Sequence, residues 1–157
     1  PAFEKLLKSG LKFKVLVTGD AGFCFSNPAI PVEAKAWYAE DEASDLLRMD
    51  VGLYPLTDEP WVYGKRGGKA LLYMAAGLPV IATAIGTNTE TFSDGNTALL
   101  VNVNDFDGWA EKIMLLADNE TLRQKLGTAA REAVNTQFSV AANKDKYLAV
   151  LSEVSKK

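Results

Sequence analysis

The apolar positions of this chain fall into two rhythms: short, near-continuous runs of strand length, and longer stretches with apolar residues three and four apart. Phe3, Leu6 and Leu7 sit at helical spacing in the first ten residues, which close on Gly10, a residue suited to a left-handed helix exit. FKVLVTGD then reads as a central strand buried on both faces. AGFCFSNPAIP carries turn formers and two prolines and is expected as a loop, with Phe23, Cys24 and Phe25 available for a buried patch. VEAKAWYAE alternates Val32, Ala34, Ala36 and Tyr38 against Glu33, Lys35 and Trp37, the pattern of a half-buried strand. EASDLLRM is a short helix, and DVGLYPL is a strand that Pro55 ends.

From Asp58 to Thr83 the chain reads DEPWVYGKRGGKALLYMAAGLPVIAT. A basic, glycine-rich loop opens an apolar helix, Gly77-Leu78-Pro79 ends it, and a β-branched strand follows. AIGTNTETFSDGN is turn-rich, with Thr87, Asn88 and Thr89 as candidate caps of a helical turn through Phe92, and TALLVNV is the last of five strands. Asn104 or Asp105 caps a helix whose stripe of Phe106, Trp109, Ala110, Ile113 and Leu116 must pack on the sheet. Two more helices are expected, one from Glu120 to about Gln137 and one begun by Ser139 with Tyr147, Leu148, Leu151 and Val154 on a face. The closing SKK is expected to fray.

Apolar strands alternating with helices imply an α/β fold, a parallel sheet covered on both faces, and the crossovers that parallel strands need make a doubly wound, Rossmann-like topology the economical one. With 157 residues and no linker or repeat, residues 1–157 are expected to form a single domain. A net charge of −3 argues against a nucleic-acid partner, because such affinity comes largely from neutralising phosphates. The absence of histidine removes Ser-His, Cys-His and His-metal chemistry within this chain. Cys24 alone cannot form an internal disulfide, which fits a reducing compartment. No run approaches the roughly 18 apolar residues of a membrane span and no charged-then-apolar leader opens the chain, so a cytoplasmic location is expected.

In open parallel sheets, ligands sit beyond the carboxyl ends of the strands, and the loop after DVGLYPL lies at such an end. It contains Gly64, Lys65, Arg66, Gly67, Gly68 and Lys69, a formal +3 within a negatively charged chain. Glycines let a diphosphate approach the backbone, and the amides and dipole of a helix start attract it. The same composition also describes a solvated basic turn, and the two readings stand about even. The loop matches neither the P-loop nor the dinucleotide-binding glycine pattern, so composition leaves the ligand unnamed.

The run from Asp50 to Thr83 fits the pattern PLxDxPWxxGKxxxKxxxYMAxGxPV, and with AIGTNTETFSDGNTALLV after it closely resembles the donor-binding, C-terminal half of GT-B glycosyltransferases of family 4. Trp109, Leu122, Arg123, Gly127, Arg131, Phe138 and Ser139 match the closing helices of that family, so the resemblance covers about Val15 to Tyr147. It implies a two-domain enzyme that moves a hexose from a nucleotide sugar, usually with retention and with no bound metal or other cofactor. The diphosphate role falls on Gly64, Lys65, Gly67, Gly68 and Lys69, with Arg66 beside them. Trp37 and Tyr38 stand where the family places the nucleobase, although packing aromatics would read the same.

Two departures accompany the likeness. The family carries two glutamates eight residues apart that contact sugar and ribose, and the corresponding positions here are Gly64 and Leu72. Leucine cannot accept a ribose hydrogen bond, which leaves Asp58 or Glu59 as loop carboxylates to compensate, unless Leu72 is an ordinary core residue. The family also has an acceptor-binding domain and a further strand ahead of the first helix, so a fragment is expected, inactive by itself, from a parent enzyme that can touch a membrane. The alternative is a non-catalytic module of the same fold that binds a partner or glycan. A receiver domain or dehydrogenase is disfavoured by the basic strand-end loop and the missing dinucleotide turn.

Overall fold

The computed structural model describes residues 1–155, so the last two lysines, expected to fray, lie outside the described residues. Helix α1 spans Ala2–Ser9 and buries Leu6 completely; Gly10 ends it in the left-handed conformation at φ 81°. Strands β1 (Val15–Thr18) and β2 (Val32–Lys35) pair in parallel, Val15 opposite Val32 and Thr18 opposite Lys35. Phe23 and Phe25 of the loop between them join Phe3 and Phe13 in a chain of ring contacts 5.0–5.8 Å apart, while Cys24 is exposed. The expected patch is thus the two phenylalanines without the cysteine.

Helix α2 (Glu42–Leu46) leads to β3 (Gly52–Tyr54), a 3₁₀ turn over Pro60–Gly64, α3 (Gly68–Ala75), β4 (Val80–Thr83), the short α4 (Asn88–Thr91) and β5 (Leu99–Val101). Strands β3, β4 and β5 are parallel in that order. All four residues of β4 are buried, and its pleat divides the core. Val80 and Ala82 pack with Ala70 and Met74 of α3, whereas Ile81 packs with Trp109 and Leu116 of α5 (Phe106–Asp118). Helices therefore cover both faces, as the continuous apolar run of a parallel strand predicts.

The five expected strands are all present and all parallel, but among the described residues they form a two-stranded and a three-stranded sheet rather than one. This corrects the reading of β1 as central and buried on both faces: its four residues are only partly buried, and it pairs on one edge alone. The alternation along VEAKAWYAE likewise does not become a long half-buried strand, since β2 stops at Lys35 and its residues are uniformly half-buried. A second correction concerns α5: Asp105 caps it by accepting from the Gly108 amide at 2.8 Å, which leaves Phe106 46% exposed in the first turn. The rest of that stripe packs as expected.

Helix α6 (Glu120–Ala133) runs into a π-helical turn, Val134–Phe138, and Ser139 then caps α7 (Val140–Val154) by accepting from the Ala142 amide. Tyr147, Leu148, Leu151 and Val154 share α7 but remain exposed.

The position of α3 is fixed at its carboxyl end by a double hydrogen bond, Gly77 N–H to the Met74 carbonyl at 2.9 Å and Leu78 N–H to the Tyr73 carbonyl at 3.0 Å, with Gly77 at φ 79°. Gly127 of α6 rests directly on this turn, and a Cβ there would lie 2.0 Å from the Gly77 carbonyl oxygen. Backbone against backbone leaves no side chain to yield. Gly127→Ala should therefore cost about 3 kcal/mol and lower Tm by about 6–12 °C, whereas Gly64→Ala, where a Cβ meets nothing within 4 Å, should change stability by less than about 0.5 kcal/mol. Thermal unfolding of both variants checks the contrast.

Candidate functional site

The loop before α3 is shaped from both sides. Pro60 starts the 3₁₀ turn, whose Val62 is buried, and Gly67 then adopts φ 69° and becomes the N-cap of α3. A Cβ on Gly67 would lie 2.7 Å from the Phe92 ring, so only glycine meets both the conformation and the space. Opposite, Thr87 donates its hydroxyl to the Lys65 carbonyl, and the buried Asn88 donates to the Thr83 carbonyl at 2.9 Å. Thr83 Oγ1 in turn accepts from the Leu56 amide at 2.8 Å. The segment from Thr83 to Phe92 is thus a brace for the glycine loop, and Thr87, named as a candidate cap, spends its hydroxyl there instead of on α4.

No side chain caps α3. The amides of its first turn point out of the helix with the positive end of the dipole behind them, an arrangement that suits an anion. Lys65 lies with its Nζ 4.5 Å from the Trp61 ring centroid. Arg66, Gly64 and Gly68 are exposed around the same end. Lys69 is well exposed and stands 4.0 Å from Glu42 on α2. Such an exposed pair is worth about 0–1 kcal/mol, so Lys69 can leave it for a diphosphate.

A cleft of about 70 Å³ opens beside Lys69, with Thr18, Trp37, Glu42, Asp45 and Leu72 among its lining residues. Trp37 is 48% exposed and donates its Nε1 hydrogen to Glu42 Oε1 at 2.9 Å, so one carboxylate links the aromatic ring to the basic loop. Trp37 and Tyr38 are both exposed and not part of the buried core, and of the two Trp37 lines the cleft. Leu72 is half-buried in the cleft wall rather than in the core. Asp58 and Glu59 do not join it: both are exposed, and Asp58 accepts from the Tyr63 hydroxyl at 2.8 Å, which raises the Tyr63 pKa. A wider, open depression of about 360 Å³ lies at the other end of α3, between Gly77 and α6. Gly77, Gly127 and Arg131 are among its lining residues, and it carries none of the loop chemistry.

The pattern of the sequence does not single out Thr18, Glu42 or Asp45. Glu42 and Asp45 stand three apart on α2, one helical face, but nothing in EASDLLRM distinguishes them from solvated acids.

The family model for group 1 glycosyl transferases matches residues 47–133, more than half of the chain. The chain belongs to the group 1 glycosyl transferases. It is 30% identical over 144 residues to the N-acetyl-alpha-D-glucosaminyl L-malate synthase of Bacillus anthracis, covering 87% of this chain and 36% of that protein. It is 28% identical over 149 residues to the capsular polysaccharide biosynthesis glycosyltransferase CapM of Staphylococcus aureus, covering 88% of this chain and 37% of that protein. The chain therefore spans little more than a third of these relatives. Among solved structures, Anabaena HepE in complex with UDP and glucose superimposes with a TM-score of 0.70 at 19% identity over 80% of this chain and 33% of that one. The fold is that of the GT-B glycosyltransferases, with parallel sheets flanked by helices.

The transferase chain secures the α2 wall of the cleft with charge. Glu33 on β2 accepts from Lys14 at 2.8 Å and from Arg48 at 2.5 Å, while Lys35 reaches Asp41 at 3.1 Å and Asp45 at 3.0 Å. The hydrogen bonds from Lys14 and Arg48 hold the Glu33 pKa at about 2, below its ordinary 4.5, and those from Asp45 and Asp41 raise that of Lys35. A carboxylate whose folded pKa is depressed stabilises the fold above its unfolded pKa, and the contribution disappears as pH falls through the folded one. The advantage of wild type over Glu33→Gln in Tm should thus be largest at neutral pH and should shrink steadily between pH 4.5 and about 2. Melting curves of both proteins across that range read it directly.

Proposed function

We propose that this group 1 glycosyl transferase chain is the C-terminal, donor-binding half of a family 4, retaining GT-B enzyme that transfers a hexose from a nucleotide sugar to an acceptor. The observation that carries the reading is the uncapped start of α3 at a left-handed Gly67, with Lys65, Arg66 and Lys69 around it. The diphosphate of the donor sits on the amides of that turn, and the cationic side chains stabilise it as it leaves, the task a metal performs in other transferases. No metal or other cofactor is required on this reading. HepE, which shares the fold and was solved in complex with UDP and glucose, supports a nucleotide donor.

The acceptor belongs to an N-terminal domain outside this chain, so the isolated piece binds donor without turning it over. The enzyme works in the cytoplasm. No described helix is long and apolar enough to cross a membrane, and any membrane contact of the parent protein is peripheral on this account. A second reading, a non-catalytic module that binds a partner or glycan, is favoured by one feature, the absence of a carboxylate at positions 64 and 72.

Calorimetric titration of the chain with UDP, GDP and ADP separates these readings. At least one diphosphate should bind, and Lys65→Ala and Lys69→Ala should each weaken it about tenfold, or about 1.4 kcal/mol, with the loss shrinking at high salt. No binding at millimolar ligand to protein whose fold is verified by circular dichroism overturns the donor-site reading. Retained transfer by the full-length protein carrying both substitutions overturns the role given to the two lysines, and absence of any transfer by the intact parent protein favours the non-catalytic module.

A further inference from the structure

Two residues that line the cleft beside Lys69 each carry a buried polar atom without a partner among the described residues. Asp45 is 4% exposed; its Oδ1 is held by Lys35 at 3.0 Å and faces Arg48 at 3.7 Å, but its buried Oδ2 accepts from nothing among the described residues. Thr18, at the carboxyl end of β1, has a buried Oγ1 that is likewise unpartnered. Both residues line the cleft, which α3 closes with the apolar Leu72 and Trp37 borders with an exposed ring. A buried carboxylate oxygen without a donor is unfavourable until something supplies one.

The partner these atoms select is a hydroxyl pair. Carboxylate Oδ2 only accepts, whereas a threonine hydroxyl both donates and accepts, so the two together suit neighbouring hydroxyls, and the carboxylate disfavours an anion. The cleft opens next to Lys69 in the first turn of α3, so the group in question lies one step along a ligand whose diphosphate occupies that turn. We propose that Asp45 Oδ2 and Thr18 Oγ1 receive the ribose hydroxyls of a nucleoside diphosphate, so that the ribose acceptor of this chain comes from α2 and β1 while α3 contributes no carboxylate to the cleft. This rests on the diphosphate reading of the α3 turn. It assigns specificity for a ribonucleotide to residues outside the glycine loop.

The test compares, by titration of the 157-residue chain, inorganic pyrophosphate, whichever of UDP, GDP and ADP binds tightest, and the 2′,3′-dideoxy form of that nucleotide. Wild type should prefer the ribonucleotide over its dideoxy form by about tenfold or more, the effect of losing hydrogen bonds to a charged acceptor. Asp45→Asn should erase most of that preference while changing pyrophosphate affinity by less than about twofold. Thr18→Val, which leaves the Lys35 ion pair untouched, should reduce the preference in the same direction and guards against an Asp45 variant that fails to fold. Equal binding of ribo and dideoxy forms by wild type, or an undiminished preference in both folded variants, overturns the assignment. Binding of pyrophosphate with no measurable nucleotide binding also overturns it and leaves the diphosphate seat standing. If neither pyrophosphate nor any nucleotide binds, the seat and the ribose assignment fall together.

Discussion

Both ends of α3 are set by close approaches that only glycine allows, Gly67 at its start and Gly127 of α6 against its closing turn, and the rest of the site depends on that constraint. At the start, Gly67 turns through φ 69° against the Phe92 ring; at the finish, the Gly77 turn presses its carbonyl on Gly127 of α6. Between them Ala70 and Met74 are fully buried against Val80 and Ala82 of β4. An eight-residue helix is too short to hold itself in water, so its place comes from this packing. A helix pinned at its carboxyl end and braced by Thr87 at the loop before it presents its first amides in one fixed direction. Preorganisation of that kind lets an anion bind without a further cost of ordering the donors.

Electrostatics around the loop are a local reversal rather than a global property. The chain is negative overall, and acids stand on every side: Asp58 on the 3₁₀ approach, Glu42 and Asp45 on α2. Each of these acids is already held in place by a neighbour. Asp58 accepts from Tyr63, Glu42 from Trp37, and Asp45 is matched by Lys35 and Arg48. Around the α3 turn stand Lys65 over the Trp61 ring, Arg66, and a Lys69 engaged only by its exposed 4.0 Å pair with Glu42, together with the dipole of α3. A positive helix end with cationic side chains around it attracts an anion even on an acidic protein, since screening limits the reach of the more distant acids to about 8 Å at physiological salt.

Much of this was legible in the chain, and the part that was not has a physical reason. Period and punctuation located every α-helix and strand, though not the 3₁₀ turn Pro60–Gly64 or the π turn Val134–Phe138, because Gly10, Gly77 and Pro55 terminate elements by backbone geometry that needs no tertiary context. The glycine loop was legible for the same reason. Burial on two faces was not: the apolar run of β1 satisfies the pattern of a central strand, but pattern reports what a strand could bury and not which neighbours it has. Leu72 shows the same limit, since an apolar residue on an apolar helix reads as core whether it meets other leucines or the wall of a cleft. Asp45 and Thr18 were invisible because their meaning lies in a partner they lack, and the absence of a hydrogen bond has no sequence signature.

The division into two parallel sheets gives α2 a task beyond crossing from β2 to β3. Glu33 and Lys35 on β2 bind Arg48, Asp45 and Asp41, so the ion pairs tie α2 to the first sheet, while Lys69 and Leu72 meet α2 across the cleft from the second. The cleft is therefore bounded by the carboxyl end of β1, by α2 and by the first turns of α3, beside the strand ends at which open parallel sheets take ligands. Its two halves bring different chemistry. The three-stranded sheet, rigid and buried on both faces, supplies the amides and cations of the α3 turn. The two-stranded sheet, half-exposed and held by charge, supplies the aromatic ring and the unpartnered oxygens. A ligand that carries both a diphosphate and a pair of hydroxyls would join the two halves, so its binding energy depends on how firmly the α2 ion pairs keep them in register.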